Sequence, residues 1–277
     1  MATLGERSTS SVMLAPARPP RWYQSWRFWL MVAVAVPVLA YGWYVTEIDL
    51  GKLIQRLPRG WRLTSELFRP DWSIAWLVAQ RMVQSVFLAL MATLFAVPVA
   101  APLSFLGARN LMRDSPARMA IYYVVRGFFN IFRSFEVLVV AIIFVTIVGI
   151  GPFAGMLGLF IHTVAVLGKL YSEQIENIDH GPVEAITATG ASRLQTTLYA
   201  VVPQIVNPFI SFTIYRWDVN VRMSIVVGFV GGGGVGQLLQ QYTGLLEWNS
   251  VGTIALFTIA VVWAMDYASA RIREKLS

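Results

Sequence analysis

The chain has 277 residues, 56% of them hydrophobic and 13% charged, with a formal net charge of +7 and a mean hydropathy of +0.60. A soluble domain carries roughly twice that charged fraction, and apolar runs of the about 20 residues needed to cross a bilayer recur too closely to leave room for a sizeable soluble catalytic domain. The lack of cysteine excludes disulfides, thiolate metal sites and cysteine nucleophiles, and the basic residues are dispersed without a nucleic-acid recognition module.

Residues 1–27 are rich in Ser, Pro and Arg (Arg7, Arg18, Arg21, Arg27) and hold no apolar run, so a disordered cytoplasmic tail is expected there. The first span is predicted at 28–45, flanked by Trp22, Tyr23, Trp26 and Trp29 on one side and Tyr41, Trp43 and Tyr44 on the other, as interfacial aromatic belts are. A cleaved signal peptide is the competing reading; the run begins late and no convincing small-residue cleavage site follows it. Residues 46–79 mix charges with Trp61, Trp72 and Trp76 and read as an external loop with an interfacial segment.

The second span is predicted at 80–107. The third, 117–148, would be about 48 Å long as one helix, too long for a hydrocarbon core of about 30 Å, so it is expected to protrude into the cytoplasm. Gly149, Gly151 and Pro152 mark a short external turn before a fourth span at 153–178, which becomes charged at Lys169, Glu173 and Glu176. A polar stretch, 179–203, leads to a fifth span (204–227), a Gly-rich external loop and a sixth span (250–270). The regions assigned to the cytoplasm hold eleven Lys and Arg against five in the 46–79 loop and none in the other external loops. That bias places both termini in the cytoplasm.

Within 179–203, a helix should end near Gly181, Pro182 suits the first turn of a new one, and Gly190 can end that one, giving a short helix on the cytoplasmic face. Taken alone, this punctuation also fits an ordinary connector. The stretch resembles the coupling loop of ABC importer permeases: Glu184-Ala185, then Gly190 six residues after the Glu, then Pro203 thirteen after that Gly. Ile186 and Ala200 depart from it, standing where that family often has Ala and Ile.

The resemblance runs from about residue 82 to 275. Phe132-Arg133-Ser134, Val148 to Gly155, His162-Thr163, Gly168-Lys169-Leu170 and Tyr215-Arg216 are similar to the phosphonate permease subfamily, and methionine permeases share less. Phe135-Glu136 lacks the Pro usual there, so a softer bend is expected.

The resemblance implies an all-α membrane protein of about six transmembrane helices, with a MetI-like five-helix permease core at 80–277 and a short cytoplasmic coupling helix. It implies a bacterial inner-membrane importer subunit for phosphonate, phosphate or phosphite, working as a homodimer with two cytoplasmic ABC ATPase subunits and an external phosphonate- or phosphate-binding protein. ATP and Mg would be bound by the ATPases, with no cofactor or metal in this chain. Glu184, Ala185, Ile186, Gly190 and Pro203 would couple to the ATPase; Gly231, Gly232, Gly233, Gly234 and Gly236 would form an external gate loop.

Ionisable residues within spans mark a pathway or a buried pair. Arg126, Arg133 and Glu136 fall roughly on one helical face, where Arg133 and Glu136 can pair; Asp218 and Arg222 are at i,i+4 spacing. Arg216 has no evident partner on its own helix and is the leading pathway candidate. His162 reads as a helix-packing group rather than a proton relay.

The literal G-x-G-x-x-G at 231–236 lies between spans rather than in a βαβ unit, so it is no dinucleotide site. An ion-coupled secondary transporter would show an inverted repeat, and an intramembrane hydrolase a convergent catalytic constellation; neither is evident.

Overall fold

The computed structural model describes residues 26–274, so most of the predicted tail lies outside the described residues. It divides into two compact units, Met1–Arg59 and Gly60–Ser277. In the first unit, α1 (Trp26–Val45) is apolar around its circumference, as a lipid-facing span is. The helix α2 (Leu50–Leu67) begins in the first unit and ends in the second. The expected 46–79 loop is thus largely helical: Leu50, Leu53, Ile54, Leu57 and Trp61 recur at helical spacing and are exposed, a period that the scattered charges and Pro58 obscure in the sequence.

In the second unit Asp71 caps a short 3₁₀ turn, its carboxylate accepting from Ser73 N at 2.9 Å, and the Ser73 side chain, together with that backbone N–H, holds its carboxyl below the usual carboxylate range. The long helix α3 (Ala75–Leu106) therefore starts five residues before the predicted span. Its buried face joins Val78, Met82 and Leu88 to the small residues Ser85, Ala89, Ala92, Thr93, Ala96, Ala100 and Ser104, which alone line it beyond Leu88. Small residues let backbones approach closely, which is how helices associate where lipid tails are as apolar as leucine.

After α4 (Arg109–Met112), the predicted third span proves to be two helices, α5 (Pro116–Ser134) and α6 (Val137–Val148), bent by 92°. The expectations of a single protruding helix and of a soft bend are both corrected. Phe135 and Glu136 adopt extended backbone conformations without any proline. The cause is packing on α7 (Pro152–Glu176). Phe129 of α5 lies where a side chain on Gly168 would be, and Ala141 of α6 packs so closely on Gly158 that an added Cβ would stand 2.8 Å from its Cα. Two glycines ten residues apart on α7 thus seat the two helices separately.

The chain then forms α8 (His180–Ala188), α9 (Arg193–Thr196), a π turn into α10 (Val202–Val227), a second π turn, α11 (Gly234–Gly244) and α12 (Trp248–Glu274). Among the described residues, five helical stretches are long and apolar enough to cross a membrane, or six if the bent pair is one span.

Candidate functional site

Three regions hold the residues singled out from the sequence. The first is α8. Asp179 is its N-cap, accepting from Gly181 N at 2.9 Å, so the preceding helix ends at Glu176 rather than near Gly181. Gly190 turns the chain at φ +84°, a conformation that penalises any side chain. Glu184 and Ala185 are exposed, Ile186 is half-buried, and Pro203 sits exposed in the first turn of α10.

Two contacts hold α8 rigidly. Val183 packs into an apolar cluster with Ala108, Ile175, Ile178, Val201 and Ile205. Gln204 of α10 accepts from Asp179 N at 2.9 Å and donates to Asp179 O at 3.2 Å and Ala200 O at 2.8 Å. These hydrogen bonds tie the start of α8 to the first turn of α10. The α8–α9 arm overhangs a hollow of about 830 Å³ facing Leu111 and Ile121.

The second region is the set of intramembrane charges. Arg126 is a fastener: its guanidinium meets Glu176 at 2.7 Å and Glu173 at 3.7 Å, and Nε donates to Gly107 O at 2.8 Å, pinning α5 to α7 and to the end of α3. Arg133 and Glu136 are exposed and form no ion pair among the described residues. The expected pair is corrected, because the break at Phe135 destroys the single face that the spacing assumed. Arg222 does bond Asp218, at 3.0 Å, and also Asp266 of α12.

Arg216 differs from all of these. It is 7% exposed and donates to His162 Nδ1 of α7 at 2.6 Å. Its Nε is buried without a partner, and no carboxylate among the described residues pairs with it. Asn220, one turn on, donates to Thr93 of α3 and Thr163 of α7, both at 2.9 Å, and Tyr171 of α7 bonds Thr213 one turn back. These ties lock α10 to α7 on either side of Arg216. The sequence signal for this seam was present in the spacing of Thr213, Arg216, Asn220 and Ser224, at three to four residues. The Asn220 bridge and the Gln204 clamp were missed because their partners are distant in the chain.

The third region is the glycine run. Gly231 to Gly236 are buried, so this segment is a packed turn inside the helix bundle and not an open loop. Gly151 N donates to Gly231 O at 2.9 Å, Val235 N donates to Ser85 Oγ at 2.9 Å, and the backbone of Gly232 occupies the space a side chain on Gly155 would need. Among the described residues no cluster of His, Asp and Glu is placed to hold a metal ion.

A helical bundle with such a rigid arm between two spans and a buried polar seam has the organisation of a transport subunit. The profile described as "Binding-protein-dependent transport system inner membrane component" matches residues 116–274. The chain therefore belongs to this family: it is a multi-pass membrane permease subunit of an ABC importer. It is 37% identical over 240 residues to the putative phosphite transport system permease protein HtxC of Stutzerimonas stutzeri, covering 87% of this chain and 84% of that one. It is 34% identical over 252 residues to the phosphite transport system permease protein PtxC of the same organism, covering 90% of each. The fold matches a chain of the MetNI methionine ABC transporter, solved in an inward-facing conformation, with a TM-score of 0.66 at 21% identity, over 75% of this chain and 99% of that one. That identity speaks for the fold alone.

Proposed function

We propose that the chain is one of two identical membrane halves of an importer for a small phosphorus oxyanion of the phosphonate, phosphite and phosphate class. The likeness to two phosphite permeases along nearly their full length carries the substrate reading. A binding protein would deliver the anion outside, and two partner ATPases, holding ATP and Mg, would dock against α8 in the cytoplasm. The exposed Glu184-Ala185 edge supplies the contact, and the Gln204 clamp passes the ATPase stroke into α10, whose far end carries the buried glycine turn. A rigid lever joined to a bistable bundle is what alternating access requires.

The test is uptake by proteoliposomes holding this chain, the ATPase and the binding protein. Phosphite or methylphosphonate should accumulate only with internal ATP and Mg, and transport of methionine in their place would overturn the substrate reading. Orientation follows from cysteines introduced into this cysteine-free chain. Ser192→Cys, at the exposed start of α9, should label only from the cytoplasmic side, and Gln241→Cys, exposed on α11, only from outside. Labelling of both from one side rejects the arrangement.

A further inference from the structure

We propose that Arg216 and His162 together form an intramembrane station for the transported oxyanion, with the guanidinium supplying the charge and a neutral imidazole fixing it in place. The inference rests on the oxyanion reading above and adds the site. It begins from an imbalance: buried cations are paired with anions or neutralised. Arg216 lies near the middle of α10, His162 near the middle of α7, and no described carboxylate balances the guanidinium.

The carboxylates of the neighbouring elements that form ion pairs do so with other arginines: Asp218 bonds Arg222 through Oδ2, its Oδ1 being buried without a hydrogen-bond partner, Asp266 bonds Arg222, and Glu173 and Glu176 bond Arg126. The described part of α3 offers only Arg81, which bonds Gln84, and α6 has no charged residue.

The hydrogen bond to His162 defines the chemistry further. A guanidinium has donors and no acceptor, so Nδ1 must accept and a neutral ring carries its proton on Nε2. The pair then presents donors alone. One of them, Arg216 Nε, is buried and unsatisfied, while His162 is only half-buried and brings the edge of the station to the subunit surface. A buried cation without a counter-charge and a part-exposed ring donor at mid-helix depth would be costly. A tetrahedral oxyanion supplies the missing negative charge and acceptors, and the planar fork of arginine suits it better than the point charge of lysine.

The seam explains how the station is held. Asn220 bridging to Thr93 and Thr163 fixes α10 against α3 and α7 on one side of Arg216, and Tyr171 with Thr213 does so on the other. The guanidinium itself is held by His162. It waits for a ligand, and the single neutral ring beside it keeps that ligand weakly enough held to leave, as a transport site must.

The experiment compares Arg216→Gln, Arg216→Lys and His162→Asn in proteoliposomes containing the complete transporter, using phosphite uptake and co-purification of the ATPase as separate readouts. Arg216→Gln should co-purify with the ATPase at wild-type yield while phosphite uptake falls by about tenfold or more, the size expected for losing a charge-assisted hydrogen bond. More loaded binding protein should not restore it. Arg216→Lys should regain part of the rate. His162→Asn keeps an acceptor for Arg216 but lacks the Nε2 donor, and should show a smaller loss. Phosphite uptake at the wild-type rate by Arg216→Gln overturns the station and leaves the oxyanion reading intact. Loss of assembly in Arg216→Gln, restored in Arg216→Lys, would instead make the guanidinium an anchor for a carboxylate of the second copy. A wild-type complex that carries methionine and no phosphite overturns both readings.

Discussion

Glu184→Lys should insert and pair with a second copy normally yet import at about a tenth of the wild-type rate or less. The carboxylate is exposed and makes no ion pair among the described residues, so their fold does not depend on it. Val183 and Gln204, which hold α8 in place, are untouched. Placing a cation at the centre of a docked helix should cost at least about 1.4 kcal/mol of association, a factor of ten. The checks are co-purification of the ATPase and the increase in ATP hydrolysis when loaded binding protein is added. Both at wild-type level would remove α8 from the coupling role. A Gln204→Leu variant should dock the ATPase yet transmit poorly, because it loosens the arm without changing its exposed edge.

The second large effect concerns packing. Gly155→Ala should lower the thermal midpoint of the purified chain by about 5 °C, since the added methyl would meet the backbone of Gly232, which has no rotamer to yield. Overpacking of this kind costs about 1–3 kcal/mol, and each kcal/mol corresponds to roughly 2–4 °C in a chain of this size. Gly127→Ala is the matched control. It lies inside α5 with nothing within 4 Å of the added carbon, so helix propensity alone should leave the midpoint unchanged or raise it slightly. Equal shifts in the two variants would show that the glycine turn is not packed as described. Uptake by Gly155→Ala should fall as well, because the same contact seats the turn between α10 and α11 on α7.

Particular elements show why some of this was legible in the sequence. The spans were, because about 20 apolar residues in a row have few alternatives to a membrane helix. The end of α8 just before Gly190 follows local rules of turn chemistry, whereas its start at the Asp179 cap lies earlier than the expected break near Gly181. The Asp218–Arg222 pair lies on one helix at i,i+4 spacing, which needs no knowledge of the neighbours.

The break at Phe135–Glu136 did not announce itself. No proline or glycine marks it, and both flanking stretches are good helix formers in lipid. On the two sides of the break, Gly158 and Gly168 of a different helix admit Ala141 and Phe129 in close contact, so the packing that accompanies the bend is recorded on α7 and not at the bend itself. The amphipathic α2 was concealed differently, by a proline and four basic residues in a segment too polar to be a span.

By itself, then, the amino-acid order determined the solvent, the helical class, the spans and the arm between the fourth and fifth of them, since each depends on hydropathy, length or local backbone chemistry. Only the tertiary structure decided the partners. It tied Arg126 to α7, left Arg133 and Glu136 apart, buried the glycine run, and set His162 beside Arg216, fifty-four residues away in the chain. The physical reason is the same in each case: a charge or a small residue records what it needs, an opposite charge or a close backbone, but which residue supplies it is fixed by helix packing over distances that local sequence does not encode.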